Sequence, residues 1–331
     1  MVVTVTAIVT YPAPEHILPV GNTLGECILW HSQHNTLWWT DIQASRLHSY
    51  DWTTGAAPQT LDAPERITSF GFVAASSSFI TAFASGVALY DPQQRTVNWL
   101  ARPTADTPGV RFNDGRVDRR GRFWAGTMVE DNQPGARGCL YSFQGPSFQG
   151  PGPGLSPGAT PAPLEPRCHL RDIRISNGLC FSPDGKTLYF ADSPTRTISA
   201  YDLIEPEGVL GPRRLLAQTP EGAFPDGATV DADGCIWIAL WGAGCVARYT
   251  PDGRLDRTLP VPVSQPSCVC FAGPNLDTLC VTSARQDLDD ARLHAEPHAG
   301  DVFLYRVGTQ GLAACEGFAA CQGLPESEYR A

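Results

Sequence analysis

Charge is scarce in this 331-residue sequence, at 18% of positions, and the positive sign is the minority, with 24 Lys and Arg against 34 Asp and Glu. The resulting net charge of −10 argues against a nucleic-acid partner, because neutralising phosphates requires a Lys/Arg surplus on some face. A cation or a neutral sugar suits it better. No apolar run reaches the ~20 residues that cross a bilayer, so no membrane partner is expected. The opening segment, Met1 to Pro12, has no Lys or Arg and alternates Val, Thr, Ala and Ile, which reads as a strand rather than a signal peptide. G-x-S-x-G occurs only as Gly154-Leu155-Ser156-Pro157-Gly158, inside a Gly/Pro-rich run with no strand or helix pattern to mount a nucleophile elbow, and H-E-x-x-H is absent, which argues against a zincin helix. The eleven cysteines are odd in number. Cys268 and Cys270 have the wrong spacing for a zinc ribbon, with no second pair and no His cluster near them. Cys180, Cys235, Cys268, Cys270 and Cys280 lie in apolar runs and read as small core residues, which points to a reduced, cytoplasmic compartment.

What is abundant is turn chemistry: 32 Gly and 29 Pro among 42% hydrophobic residues, the composition of many short strands. Six segments share one layout of three strands. Their second strands are LWWTD (Leu37 to Asp41), FITAF (Phe79 to Phe83), RFWAG (Arg122 to Gly126), TLYFAD (Thr187 to Asp192), CIWIAL (Cys235 to Leu240) and TLCVTS (Thr278 to Ser283). Third strands follow as RLHSYD, GVALYD, GCLYSF, TISAYD, GCVARY and GDVFLY. The spacing is about 40 to 50 residues except once, across the third repeat, and this is the period of a four-stranded propeller blade. Hairpin turns at Arg120-Gly121, Asp184-Gly185 and Asp233-Gly234 place Gly where a positive φ is wanted. We therefore expect an all-β, six-bladed β-propeller of four-stranded antiparallel blades, a single domain over residues 1–331. The Gly/Pro/Ser-rich run from Gly145 to Pro166 interrupts the third repeat and reads as a surface insertion spanning about 142–167.

Inner strands of a propeller run along its axis, so one phase of the repeat forms a ring. Roughly ten residues before each second strand stand Glu26, Ser69, Asn113, Asn177, Asp226 and Ser267, all polar at the mouths of otherwise apolar strands. If buried they need partners. They could cap strand ends and bond one another, or their oxygens could jointly hold a hard cation, for which Ca, Mg, Mn and Zn all remain open.

At these residues the chain resembles the SMP-30/gluconolactonase family, which includes regucalcin and bacterial aldonolactonases. The resemblance rests on LGECILW, RFNDGRVDRRGRFWAGTM, ISNGLCFSPDGKTLYFADS and FPDGATVDADGCIW, in order, from about Gly25 to near Gly311. It implies one divalent metal ion, with Ca, Zn, Mg, Mn or Fe(II) as candidates, held by Glu26, Asn177 and Asp226. It implies substrate contacts at Arg111 and Asn113, and at a carboxylate after the Thr-Met pair, where Asp131 is preferred over Glu130. Cys27 and Ile28 depart from the family's Gly-Pro, which bears on substrate choice rather than on the ligands.

The expected activity is hydrolysis of a sugar-acid lactone, such as an arabinono-, xylono- or gluconolactone, to the open aldonic acid. Asp226 would act as ligand and base, with Arg111 and Asn113 holding the oxyanion or sugar hydroxyls. The competing expectations are a phosphotriesterase- or arylesterase-like propeller and a non-catalytic, metal-stabilised binding propeller. Loops between second and third strands share the ring's face and carry Asp41, Asp131, Asp192, Trp241 and Arg285. The longest, Ala284 to Gly300 with His294, Glu296 and His298, is the candidate lid. The Gly145 to Pro166 run belongs to the opposite face. A monomer is the default for a closed propeller.

Overall fold

Each of the six repeats forms one antiparallel sheet in the computed structural model, which describes residues 13–74, 76–130, 137–144 and 164–307. Five sheets have four strands and one has five. Numbering the blades along the chain, the inner strands are Gly25–His31, Ile67–Phe72, Val110–Val117, Ser176–Phe181, Phe224–Val230 and Pro266–Ala272. Each packs against its two neighbours, and the sixth packs against the first, so the ring closes. The all-β, six-bladed arrangement is the one expected from the repeat.

The closure has a feature that no repeat signals. Blade 6 takes its outer strand from the start of the chain, where His16–Leu18 pairs antiparallel with Val302–Arg306. Hydrogen bonds between the two ends of the chain tie the ring shut.

The hairpins away from the site follow one design. In blade 3 Asp118 accepts the backbone N–H groups of Arg120 and Arg122 and the indole N–H of Trp124, while Asp231 in blade 5 accepts those of Asp233, Cys235 and Trp237. Gly121 and Gly234 complete these turns at φ of 86° and 80°, values a side chain would strain. Arg122 and Arg248 then neutralise the two aspartates. Trp39, Trp124 and Trp237 lie fully buried between blades. These aspartates belong to the scaffold.

At the opposite end every inner strand carries a register shift against its neighbour: after Glu26, Ile67, Phe112, Asn177, Pro225 and Pro266. A bulge bends the strand and re-aims one side chain. Six bulges at one level therefore turn six side chains at the mouth of the channel. Blade 3's third strand ends at Phe143 and its fourth begins at Arg167, so residues 142, 143 and 167 are strand and the insertion is confined to 144–166. Phe143 pairs with Phe123 at the start of the second strand, which is the end remote from the bulges. Most of the insertion, residues 145–163, lies outside the described residues, as do the expected strand over Met1 to Pro12 and Asp131. Among the described residues no helix is long and apolar enough to cross a membrane.

Candidate active site

A cavity of about 290 Å³ opens at the bulged end of the channel, near the small end of the range for small-molecule sites. Its floor holds Glu26, Arg111, Asn113, Asn177 and Asp226, each delivered by a different point on the inner strands of blades 1, 3, 4 and 5. The remaining two ring positions do not reach it. Ser267 donates to Gly25 O in blade 1 and Thr282 Oγ1, and Ser69 is buried against Gly115, where a Cβ would sit 2.5 Å from its hydroxyl.

Three of the five floor residues, Arg111, Asn113 and Asn177, are fixed by a chain of hydrogen bonds running in one direction. Arg111 Nη1 donates to Asn113 Oδ1 at 2.7 Å, Asn113 Nδ2 to Asn177 Oδ1 at 2.9 Å, and Asn177 Nδ2 to Ser193 Oγ at 2.8 Å. Ser193 Oγ then donates to Pro225 O at 2.7 Å, the carbonyl just before Asp226. Such a chain polarises along its length, and here it starts from a guanidinium. It sets the Asn177 amide so that its oxygen keeps one lone pair beyond the bond from Asn113.

Glu26 and Asp226 line the same cavity floor and each shifts the other's titration. Two carboxylates cannot share a buried site without a proton or a cation between them. Burial first, and then the negative charge of Asp114, push the Glu26 carboxyl up to about 8. Burial, followed by Glu26 and Asp114, raises Asp226 well above the carboxylate range. Asp114 is the residue that the sequence reading passed over, because Asn-Asp-Gly reads as a turn. It lies on the Val110–Val117 strand, is itself raised by burial, and accepts Leu179 N–H at 2.8 Å. Among the described residues no three His, Cys, Asp or Glu side chains are grouped as a metal cluster. The donors that converge are two carboxylates and a carboxamide oxygen, which is a hard set and complements a hard divalent cation rather than a thiophilic one.

Glu130, the other acid after the Thr-Met pair, is held by two arginines. Arg66 binds both its oxygens at 2.7 and 2.9 Å and Arg111 Nε binds Oε1 at 2.8 Å. Arg66 foremost, with Arg111, holds the Glu130 carboxyl down to about 2. Asp131 lies outside the described residues.

The loop residues fall into two groups. Trp241 lines the cavity, as does Gln286 from the Ala284 to Gly300 loop, whose middle forms a helix at Asp290–Ala295. Asp41 and Asp192 do not line it: they accept backbone N–H groups of Thr23 and Leu24 and of Arg174 and Ile175, so they brace the approach to inner strands. His298 bonds Asp301, and Glu296 bonds Ser264, which makes both struts of the loop. Ser193 and Pro194, missed in the sequence, stand directly after Asp192 and bring the loop of blade 4 into the cavity.

Comparison with known proteins places this site in context. Residues 24–285 match the model of the SMP-30/Gluconolactonase/LRE-like region. A 6-deoxy-6-sulfogluconolactonase of Pseudomonas putida is 36% identical over 294 residues, covering 88% of this chain and 94% of its own. An L-arabinolactonase of Azospirillum brasilense is 34% identical over 296 residues, covering 88% and 91%. The crystal structure of a calcium-binding protein, regucalcin, from Agrobacterium tumefaciens superposes with a TM-score of 0.81 at 29% identity, over 97% of this chain and 98% of that one.

Proposed function

The chain belongs to the SMP-30/gluconolactonase/LRE-like family, and on that premise we propose that it hydrolyses a sugar-acid lactone to the open-chain acid with the help of one divalent metal ion. The observation that carries this reading is the Glu26–Asp226 pair, two buried carboxyls that face a cavity of sugar size and require a neutralising partner. Glu26, Asn177 and Asp226 would hold the ion. When bound, it supplies a Lewis acid for the ester carbonyl and lowers the pKa of water.

The chain's own residues do the rest. Asp226, on the cavity floor beside Glu26, takes the proton of the water that attacks the lactone carbonyl. The proton then goes to the ring oxygen as the ester C–O bond breaks, leaving a hydroxyl and a carboxylic acid, which ionises to the carboxylate and releases one proton to solvent. Arg111 is fixed in position by Glu130, Phe112 O and Asn113 before substrate arrives. It presents its charge to the oxyanion with no reorganisation. Asn113 and Asn177 are locked in one amide orientation and set the direction from which the lactone enters. Free thiols at all nine described cysteines suit a reducing, cytoplasmic setting.

The test is acid release, followed at constant pH, from pentono- and hexonolactones beside phenyl acetate and a phosphotriester, for the wild type and Asp226→Ala. Lactone turnover that the variant lacks supports the reading. Turnover of the aryl ester or phosphotriester alone would overturn it.

A further inference from the structure

The cavity is polar on its floor and apolar on one wall. Met128 and Ile175 are bridged to each other between blades 3 and 4. Pro194 follows from the loop of blade 4, and Pro225, Phe224 and Trp241 complete the arc in blade 5. Phe224 and Trp241 are register partners at the very end of their strands, so they stand as one aromatic rim. Phe224 is 39% exposed, one of only four large hydrophobic side chains left in the open among the described residues, and it is the one of the four that lines a site. An open aromatic at a pocket mouth indicates a ligand surface rather than a core.

The opposite side of the rim differs. Gln43, Arg66, Glu130 and Gln286 form a connected polar run there. A substrate seated between the two therefore meets hydrogen-bonding groups at its ester and on one flank, and hydrocarbon on the other. Hydroxyls carried onto that flank would lose water and meet, among the described lining residues there, only the Trp241 indole N–H as a donor. Among the described lining residues the only cation is Arg111, which the reaction engages at the ester, so an anionic substituent on the apolar flank finds no further charge.

We infer that the preferred substrate is a deoxy aldonolactone, whose ring substituent is a methyl group packed against Phe224, Trp241 and Ile175 rather than a hydroxymethyl or sulfomethyl group. The inference rests on the lactonase reading and names its substrate class. Phe224 and Trp241 are the specificity-determining pair. An apolar pocket rejects an added hydroxyl by at most about a hundredfold, so the preference in kcat/KM for a 6-deoxyhexonolactone over its parent hexonolactone is expected between about tenfold and a hundredfold.

The experiment measures kcat/KM for three matched lactones, the 6-deoxy, the 6-hydroxy and the 6-deoxy-6-sulfo forms. It uses the wild type, Phe224→Gln, Trp241→Gln and, as control, Leu255→Gln on the outer strand of blade 5. Thermal melts establish that every variant is folded. The expected result is a deoxy preference of tenfold or more that collapses toward unity in Phe224→Gln and Trp241→Gln and survives in Leu255→Gln. Equal rates on all three lactones, or fastest turnover of the sulfo form, would overturn the inference while leaving the lactonase reading intact. A preference unmoved by both aromatic variants would also overturn it. Hydrolysis of none of the three would defeat the lactonase reading itself, and the inference with it.

Discussion

Without a bound cation, the Glu26–Asp226 pair makes the fold sensitive to alkali in a direction opposite to ordinary acid denaturation. In the unfolded chain the Glu26 carboxyl has its usual value of 4.5, whereas in the fold burial and Asp114 raise it to about 8. Between those values the folded state binds the extra proton, so stability is full below 4.5 and is lost as pH rises through 8. Each unit removes about 1.4 kcal/mol, which amounts to about 4 kcal/mol between pH ~5 and pH ~8, counting Glu26 alone. Comparing the chelated wild type with the double variant Glu26→Gln/Asp226→Asn cancels every other titration except the pair's. Urea unfolding at a series of pH values should show the wild type losing ground to the double variant by roughly that amount as pH rises. Calcium or manganese added near pH 8 should reverse the loss in the wild type and leave the double variant where it is. A difference that is flat with pH, or that grows toward acid, would refute the reasoning.

Three further outcomes follow from the geometry. Glu130→Gln should lower kcat/KM by roughly tenfold to a hundredfold by releasing Arg111, yet leave the shape of the pH–rate profile between pH ~5 and ~9 unchanged, since Glu130 titrates near 2. Asp231→Ala strips Trp237, Arg248 and two backbone N–H groups of their buried acceptor and should cost about 3–5 kcal/mol in urea unfolding, while the residual folded protein keeps its KM. Gly126→Ala would drive a Cβ into the Ser176 side chain; a loss of about 1–3 kcal/mol in stability should come with reduced kcat, because Ser176 adjoins Asn177 on the same strand.

The architecture could be read from the chain because its signals are local and repeated: a strand, a turn and a second strand, six times over. The floor residues could be named because Glu26, Asn113, Asn177 and Asp226 share one phase of that repeat. Asp114 escaped notice because a turn motif explains Asn-Asp-Gly equally well; it is the bulge after Phe112 that keeps the segment in the strand and buries the carboxyl. Ser193 escaped because its role is to link blade 4 to Pro225 of blade 5, a contact that no pattern within one repeat encodes. The pairing of His16–Leu18 with Val302–Arg306 joins segments nearly the whole chain apart, so local periodicity could not reveal it. Asp41 and Asp192 drew attention as acids on the functional face, and only their bonds to backbone N–H groups identify them as braces.

The central claim is that a divalent ion held by Glu26, Asn177 and Asp226 enables lactone hydrolysis. The most direct measurement titrates chelated protein with manganese, following binding by calorimetry and lactone turnover in the same samples, for the wild type and Asp226→Asn. The account predicts one equivalent bound, turnover rising in proportion to occupancy, and neither in the variant. Full turnover in the chelated wild type, or turnover in Asp226→Asn equal to it, would contradict the account.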